Sequence, residues 1–73
     1  MAYSLPVIVE KDEDGTYVVE CPVLPGCYSQ GATMDEAIKN IHEAIGLALE
    51  DPESQAILKE YNPTEISFHT VSV

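Results

Sequence analysis

The sequence predicts an α+β domain: a three- to four-stranded sheet covered on one face by one long helix, in the order β-β-β-α-β. Two period-two stretches meet at an Asp-Gly turn, in "YSLPVIVEKDEDGTYVVEC". A single capped amphipathic stretch follows, in "GATMDEAIKNIHEAIGLALE". The chain then closes on "ISFHTVSV", rich in β-branched and aromatic residues. Strand, helix and strand periodicities thus succeed one another within one short chain.

Residues 3–12 alternate Leu5, Val7 and Val9 against Ser4, Pro6, Ile8 and Glu10, the pattern of a strand. Pro6 cannot donate to a ladder and belongs near the strand start or on an edge. Asp12-Glu13-Asp14-Gly15 is the turn, with Gly15 in the left-handed region. "TYVVEC" returns with Tyr17, Val19 and Cys21 on one face. "PVLPG" is a loop, because two prolines and a glycine stop the ladder. "CYSQG" makes a third short strand ending at Gly31.

The long helix starts at Thr33, whose hydroxyl accepts from first-turn amides as the N-cap, with Glu36 as its capping-box partner. Asp35 and Glu36 also suit the positive end of the helix dipole. Met34, Ala37, Ile38, Ile41, Ala44, Ile45, Ala48 and Leu49 share one face. Asp35, Lys39 and Glu43 stack on the other at four-residue steps. Pro52 ends this helix and can open a second one over 53–60, with Asp51 as N-cap. A fourth strand is expected at about 65–72.

At 73 residues the chain forms one domain, 1–73. So short a chain buries only about 60% of the surface its unfolded state exposes, so disulfides, a metal or a partner usually help. Thirteen Asp and Glu against three Lys give a net charge of −10. Nucleic acid and anionic membranes repel such a surface, whereas a basic partner is attracted. "MAYSLPVIVE" has no basic region like that of a signal peptide, and no stretch is long and apolar enough to span a bilayer. A cytoplasmic location with Cys21 and Cys27 as reduced thiols is the expectation.

Three chemistries have residues of the right type in this chain. A metal site from Cys21, Cys27, His42 and His69 has zinc-type ligands, yet a five-residue gap between the cysteines is not a usual knuckle. A cysteine nucleophile needs a lowered thiol pKa and a positioned base, which three lysines among acidic neighbours do not supply. Carboxylates such as Glu10, Asp12, Glu20 and Glu36 would have to converge from several elements to hold a catalytic metal. Each set reads better as strand, cap or surface residues, so no catalytic residue, cofactor or metal is assigned, and the chain is expected not to be an enzyme.

The stretch from Glu10 to Glu50 resembles the HicB-like antitoxin family of type II toxin–antitoxin systems. The residues that carry the resemblance are Asp14-Gly15, Tyr17, Leu24-Pro25-Gly26-Cys27, Gly31 and Thr33 to Ala37, in this order and spacing. It implies a truncated ribonuclease-H-like fold without the nuclease activity, in a short form lacking a C-terminal DNA-binding module. It also implies a partner: a small basic HicA-like toxin that cleaves mRNA and whose RNA-binding surface is occluded. Asp12, Glu13 and Asp14 at the hairpin tip, with Glu36, Glu43 and Glu50 along the helix, are the residues expected to face that partner, and Tyr28 is its expected apolar anchor. The alternative is a homo-oligomeric domain of the same family with another protein or ligand and no toxin. Ile66 and Phe68 on one face of the last segment, with Val71 and Val73 on the other, are the expected oligomer contacts, since an open strand apolar on both sides invites pairing.

Overall fold

The computed structural model describes residues 4–73. Three strands form one antiparallel sheet: β1 (Ile8–Lys11), β2 (Tyr17–Glu20) and β3 (Tyr28–Gly31), in spatial order β1-β2-β3. Helices α1 (Met34–Ala48) and α2 (Pro52–Glu60) follow. The architecture is α+β, as expected, with two differences. The first strand is confined to Ile8–Lys11 rather than spanning 3–12, and Tyr3 lies outside the described residues. The strand expected at 65–72 does not form: nothing from 61 to 73 is helix or strand, and 62–73 is exposed throughout. Its composition favours a strand, but a strand needs a partner, and among the described residues this segment pairs with no strand of the sheet.

Each turn is built from residues suited to it. The amide of Asp12 donates to the Thr16 carbonyl at 2.8 Å, and that of Gly15 donates to the Asp12 carbonyl at 2.9 Å. Gly15 sits at φ +90° and Gly26 at +71°, where a Cβ would be strained. Between β2 and β3, the Cys21 amide donates to the Cys27 carbonyl, extending the ladder one step past both strand ends. Leu24 of that loop is buried, so its side chain holds the loop against the core.

Helix α1 lies on the sheet face formed by Val9, Val19, Tyr17 and Gly31. Ala37 and Ile41 meet Val19, Cys21, Leu24, Cys27 and Leu58 in the core. Gly31 makes that approach possible: a Cβ there would stand 2.5 Å from the Ala37 nitrogen and 2.9 Å from the Glu36 carbonyl carbon. Thr33 caps the helix, accepting from the Glu36 amide at 3.1 Å, while Glu36 Oε1 accepts from the Ala32 amide at 3.4 Å. The apolar stripe is narrower than its spacing suggests, because Met34 and Ile38 remain 46% and 41% exposed. The helix sits over β3 and β2, leaving the flank that points towards β1 uncovered.

Helix α2 begins at Pro52, with Asp51 Oδ1 accepting from the Glu53 amide at 3.0 Å. Its buried residues are Ser54 and Leu58, and Leu58 joins the core.

Candidate functional site: the open face of the sheet

Period-two alternation sends Val9 and Val19 towards α1 and places Ile8, Glu10, Val18, Glu20 and Tyr28 on the opposite face. The register confirms the grouping: Ile8 pairs with Glu20 and Glu20 with Tyr28, while Glu10 pairs with Val18. Among the described residues, no helix covers this side. Ile8, Glu10, Asp12, Val18, Glu20 and Tyr28 line a shallow groove of about 270 Å³.

The groove has an apolar floor and an acidic rim. Ile8 and Val18 are half-buried, and Tyr28 is 69% exposed at its edge. Glu10, Asp12 and Glu20 bring three carboxylates, with no lysine among the lining residues. Lys11, the hairpin's only cation, is on the other face, its Nζ 5.5 Å from the Tyr17 ring centroid. A ring with a polar tip beside an uncovered apolar floor is the surface composition that anchors protein partners.

The expected partner residues divide between two sides of the molecule. Asp12 and Tyr28 belong to the groove, and Glu13 and Asp14 are exposed at the adjoining hairpin tip. Asp14 is partly occupied locally, since its Oδ1 accepts from the Thr16 amide at 3.0 Å. Glu36 is turned back on the helix start, as described above, and Glu43 and Glu50 are exposed on the helical layer. Glu10, Glu20, Ile8 and Val18 were not among the expected site residues, although alternation along the first two strands already separates them from the buried set.

The residues of zinc-ligand type are dispersed. Cys21 and Cys27 are buried free thiols, His42 is exposed on α1, and His69 is exposed near the C-terminus. Among the described residues, no three His, Cys, Asp or Glu side chains converge to hold a metal ion. Burial, then the neighbouring Cys21, pushes the Cys27 thiol above its ordinary value. Among the described residues, no helix is long and apolar enough to cross a membrane.

Comparison with known proteins gives this geometry a family. Residues 5–70 match the family model described as HicB_like antitoxin of bacterial toxin-antitoxin system. A UPF0150 protein of Synechocystis sp. is 52% identical over 50 residues, covering 68% of this chain and 72% of the relative. One from Helicobacter pylori is 46% identical over 67 residues, covering 84% of this chain and 92% of its own. The crystal structure of the N-terminal domain of the Burkholderia pseudomallei antitoxin HicB superposes with a TM-score of 0.60 at 35% identity, over 90% of this chain and 72% of that one. The chain belongs to the HicB-like antitoxin family of bacterial toxin–antitoxin systems.

Proposed function

We propose that this chain acts in the cytoplasm as a non-enzymatic antitoxin domain that binds a small basic HicA-like toxin and occludes its RNA-binding surface. The observation that carries the reading is the open sheet face, an apolar groove with a carboxylate rim on a chain of net charge −10. A surface built to bind phosphates is cationic, and the acidic rim is its electrostatic complement. Exposed ion pairs contribute only about 0–1 kcal/mol each, so the carboxylates steer the encounter. Retention falls to desolvated apolar contact, for which Tyr28, Ile8 and Val18 are placed. Glu43 and Glu50, on the helical layer away from the groove, add to the long-range field without touching a partner seated there.

Surface-plasmon kinetics test this against a short basic protein encoded beside this chain's reading frame. Neutralising Asp12, Glu13 and Asp14 together slows association and flattens its dependence on salt, because the screening length is about 8 Å at physiological ionic strength. Tyr28→Ala instead raises the off-rate, as loss of a buried anchor does. An acidic triple variant with unchanged on-rate and salt slope would reduce the charge to a solubility role and move the interface elsewhere. The second reading, a homo-oligomer without a toxin, draws on a separate observation: the exposed apolar side chains of Ile66, Phe68, Val71 and Val73.

A further inference from the structure

We infer that Cys21 and Cys27 form a reversible oxidation site: exchange with a low-molecular-weight disulfide joins them in one intramolecular bond that closes the loop between β2 and β3. The site lies on the core side of the sheet and acts with or without a toxin on the open face.

Register brings the two thiols together. Glu20 pairs with Tyr28 in the antiparallel ladder, so the next step sets Cys21 opposite Cys27. Their backbones are joined there, the Cys21 amide donating to the Cys27 carbonyl at 2.9 Å. Residues facing each other across such a bonded pair have Cα atoms about 5.5 Å apart, within the roughly 4.4–6.8 Å that a disulfide spans. Alternation puts both side chains on the face of Val19, towards α1, and both are buried, at 1% and 7% exposure. Two thiols projecting from opposed positions into one core can meet by rotation about their Cα–Cβ bonds.

The loop between them is already closed by its backbone. The Leu24 amide donates to the Cys21 carbonyl at 3.2 Å, and the Leu24 carbonyl accepts from the Cys27 amide at 3.2 Å. Gly26, at φ +71°, turns the chain back into β3. Cross-linking therefore asks for little backbone movement. Pro22, Pro25 and Gly26 are exposed, so lifting this short loop, without unfolding the domain, admits an oxidant to Cys27.

The chemistry runs in two exchanges. The Cys27 thiolate attacks one sulfur of the small disulfide, forming a mixed disulfide and releasing one small thiolate. The Cys21 thiolate then attacks the Cys27 sulfur and releases the second. The protein gives up two protons and two electrons, and the small disulfide takes both up as it becomes two thiols. Burial, then the neighbouring Cys21, pushes the Cys27 thiol up, so near neutral pH the reduced pair gains nothing from ionising. A stabilised thiolate is what makes a disulfide easy to reduce, and this site does not provide one. The closed ring, residues 21–27, is short, and constraining the unfolded chain by it raises the folding constant about 50-fold. By linkage, folding favours the bond by the same factor.

Glutathione buffers test this on the whole chain. Reduced and oxidised chain are each equilibrated, without air, over buffers of graded oxidised-to-reduced glutathione, once in native buffer and once in concentrated urea. Approach from both sides keeps slow exchange of buried thiols from deciding the result. After acid quenching, intact mass separates the states: the intramolecular bond lowers the single-chain mass by about 2 Da, whereas a mixed disulfide adds a glutathione. The expected equilibrium constant for cross-linking is about 50-fold larger in native buffer than in urea. The cross-linked chain's urea midpoint rises by about 2 M, and dithiothreitol reverses the rise. Cys21→Ser and Cys27→Ser each abolish both the mass loss and the rise. A folded chain that keeps both thiols in buffers that cross-link it in urea overturns the proposal. So does a chain that stops at the mixed disulfide or joins to a second copy, and so does a cross-linked chain no more stable than the reduced one.

Discussion

Substituting alanine for Gly31 and for Gly46 adds the same methyl group with opposite consequences. At Gly31 the new Cβ would run into the backbone linkage between Glu36 and Ala37: the Ala37 nitrogen at 2.5 Å, the Glu36 carbonyl carbon at 2.9 Å and Ala37 Cα at 3.0 Å. Backbone cannot rotate away, so α1 must lift from β3 and the Ala37–Ile41 contact with Val19 must loosen. Overpacking of this kind costs typically 1–3 kcal/mol, and contact with backbone argues for about 3. Removing a glycine from a strand returns about 0.5–1 kcal/mol, so the net loss is about 2 kcal/mol. Gly46 is exposed on α1 with nothing within 4 Å of the added atom, and alanine there gains about 0.8–1 kcal/mol of helix propensity. With a urea slope near 1 kcal/mol/M for so small a domain, Gly31→Ala lowers the midpoint by about 2 M and Gly46→Ala raises it by about 1 M. Both are measured by circular dichroism at one protein concentration. A Gly31→Ala midpoint equal to or above wild type would refute the close approach of α1 to β3.

The capping hydroxyl of Thr33 gives a smaller effect: Thr33→Ala costs about 0.5–2 kcal/mol, seen as a lower urea midpoint with an unchanged slope. Leu58→Ala removes the α2 side chain that enters the core and costs about 2–5 kcal/mol, read from the same titration together with a loss of helical signal. The Cys27 thiol, raised in the folded chain, makes stability pH-dependent. An acid whose folded pKa lies above its unfolded value contributes stability in full below the unfolded value and loses it as pH rises through the folded one. Unfolding midpoints therefore fall as pH rises past the ordinary thiol value of 9.0, and Cys27→Ala flattens that decline.

The parts of this fold that rest on local chemistry are legible in the sequence. Asp12 to Gly15 specify their turn, Thr33 and Asp51 their helix starts, and the positions of Ala37 and Ile41 the buried side of α1. The fourth strand misleads because residues 66–73 have strand composition, while forming a strand also takes a neighbour to pair with, which composition does not specify. Met34 and Ile38 read as core by spacing, but a three-stranded sheet is too narrow to cover the whole apolar arc of α1. Tyr28 and Asp12 could be singled out as surface residues. Their convergence with Glu10, Glu20 and Val18 depends on strand register, which fixes which residue of β3 lies beside which residue of β2.

Spatial order in the sheet follows order along the chain, β1-β2-β3, and α1 packs on the strand just before it. Every such contact closes a short loop, so little chain entropy is lost before the contact forms. Chains dominated by near-neighbour contacts fold in microseconds to milliseconds. Refolding by dilution from urea should therefore show a fast phase whose rate is independent of protein concentration.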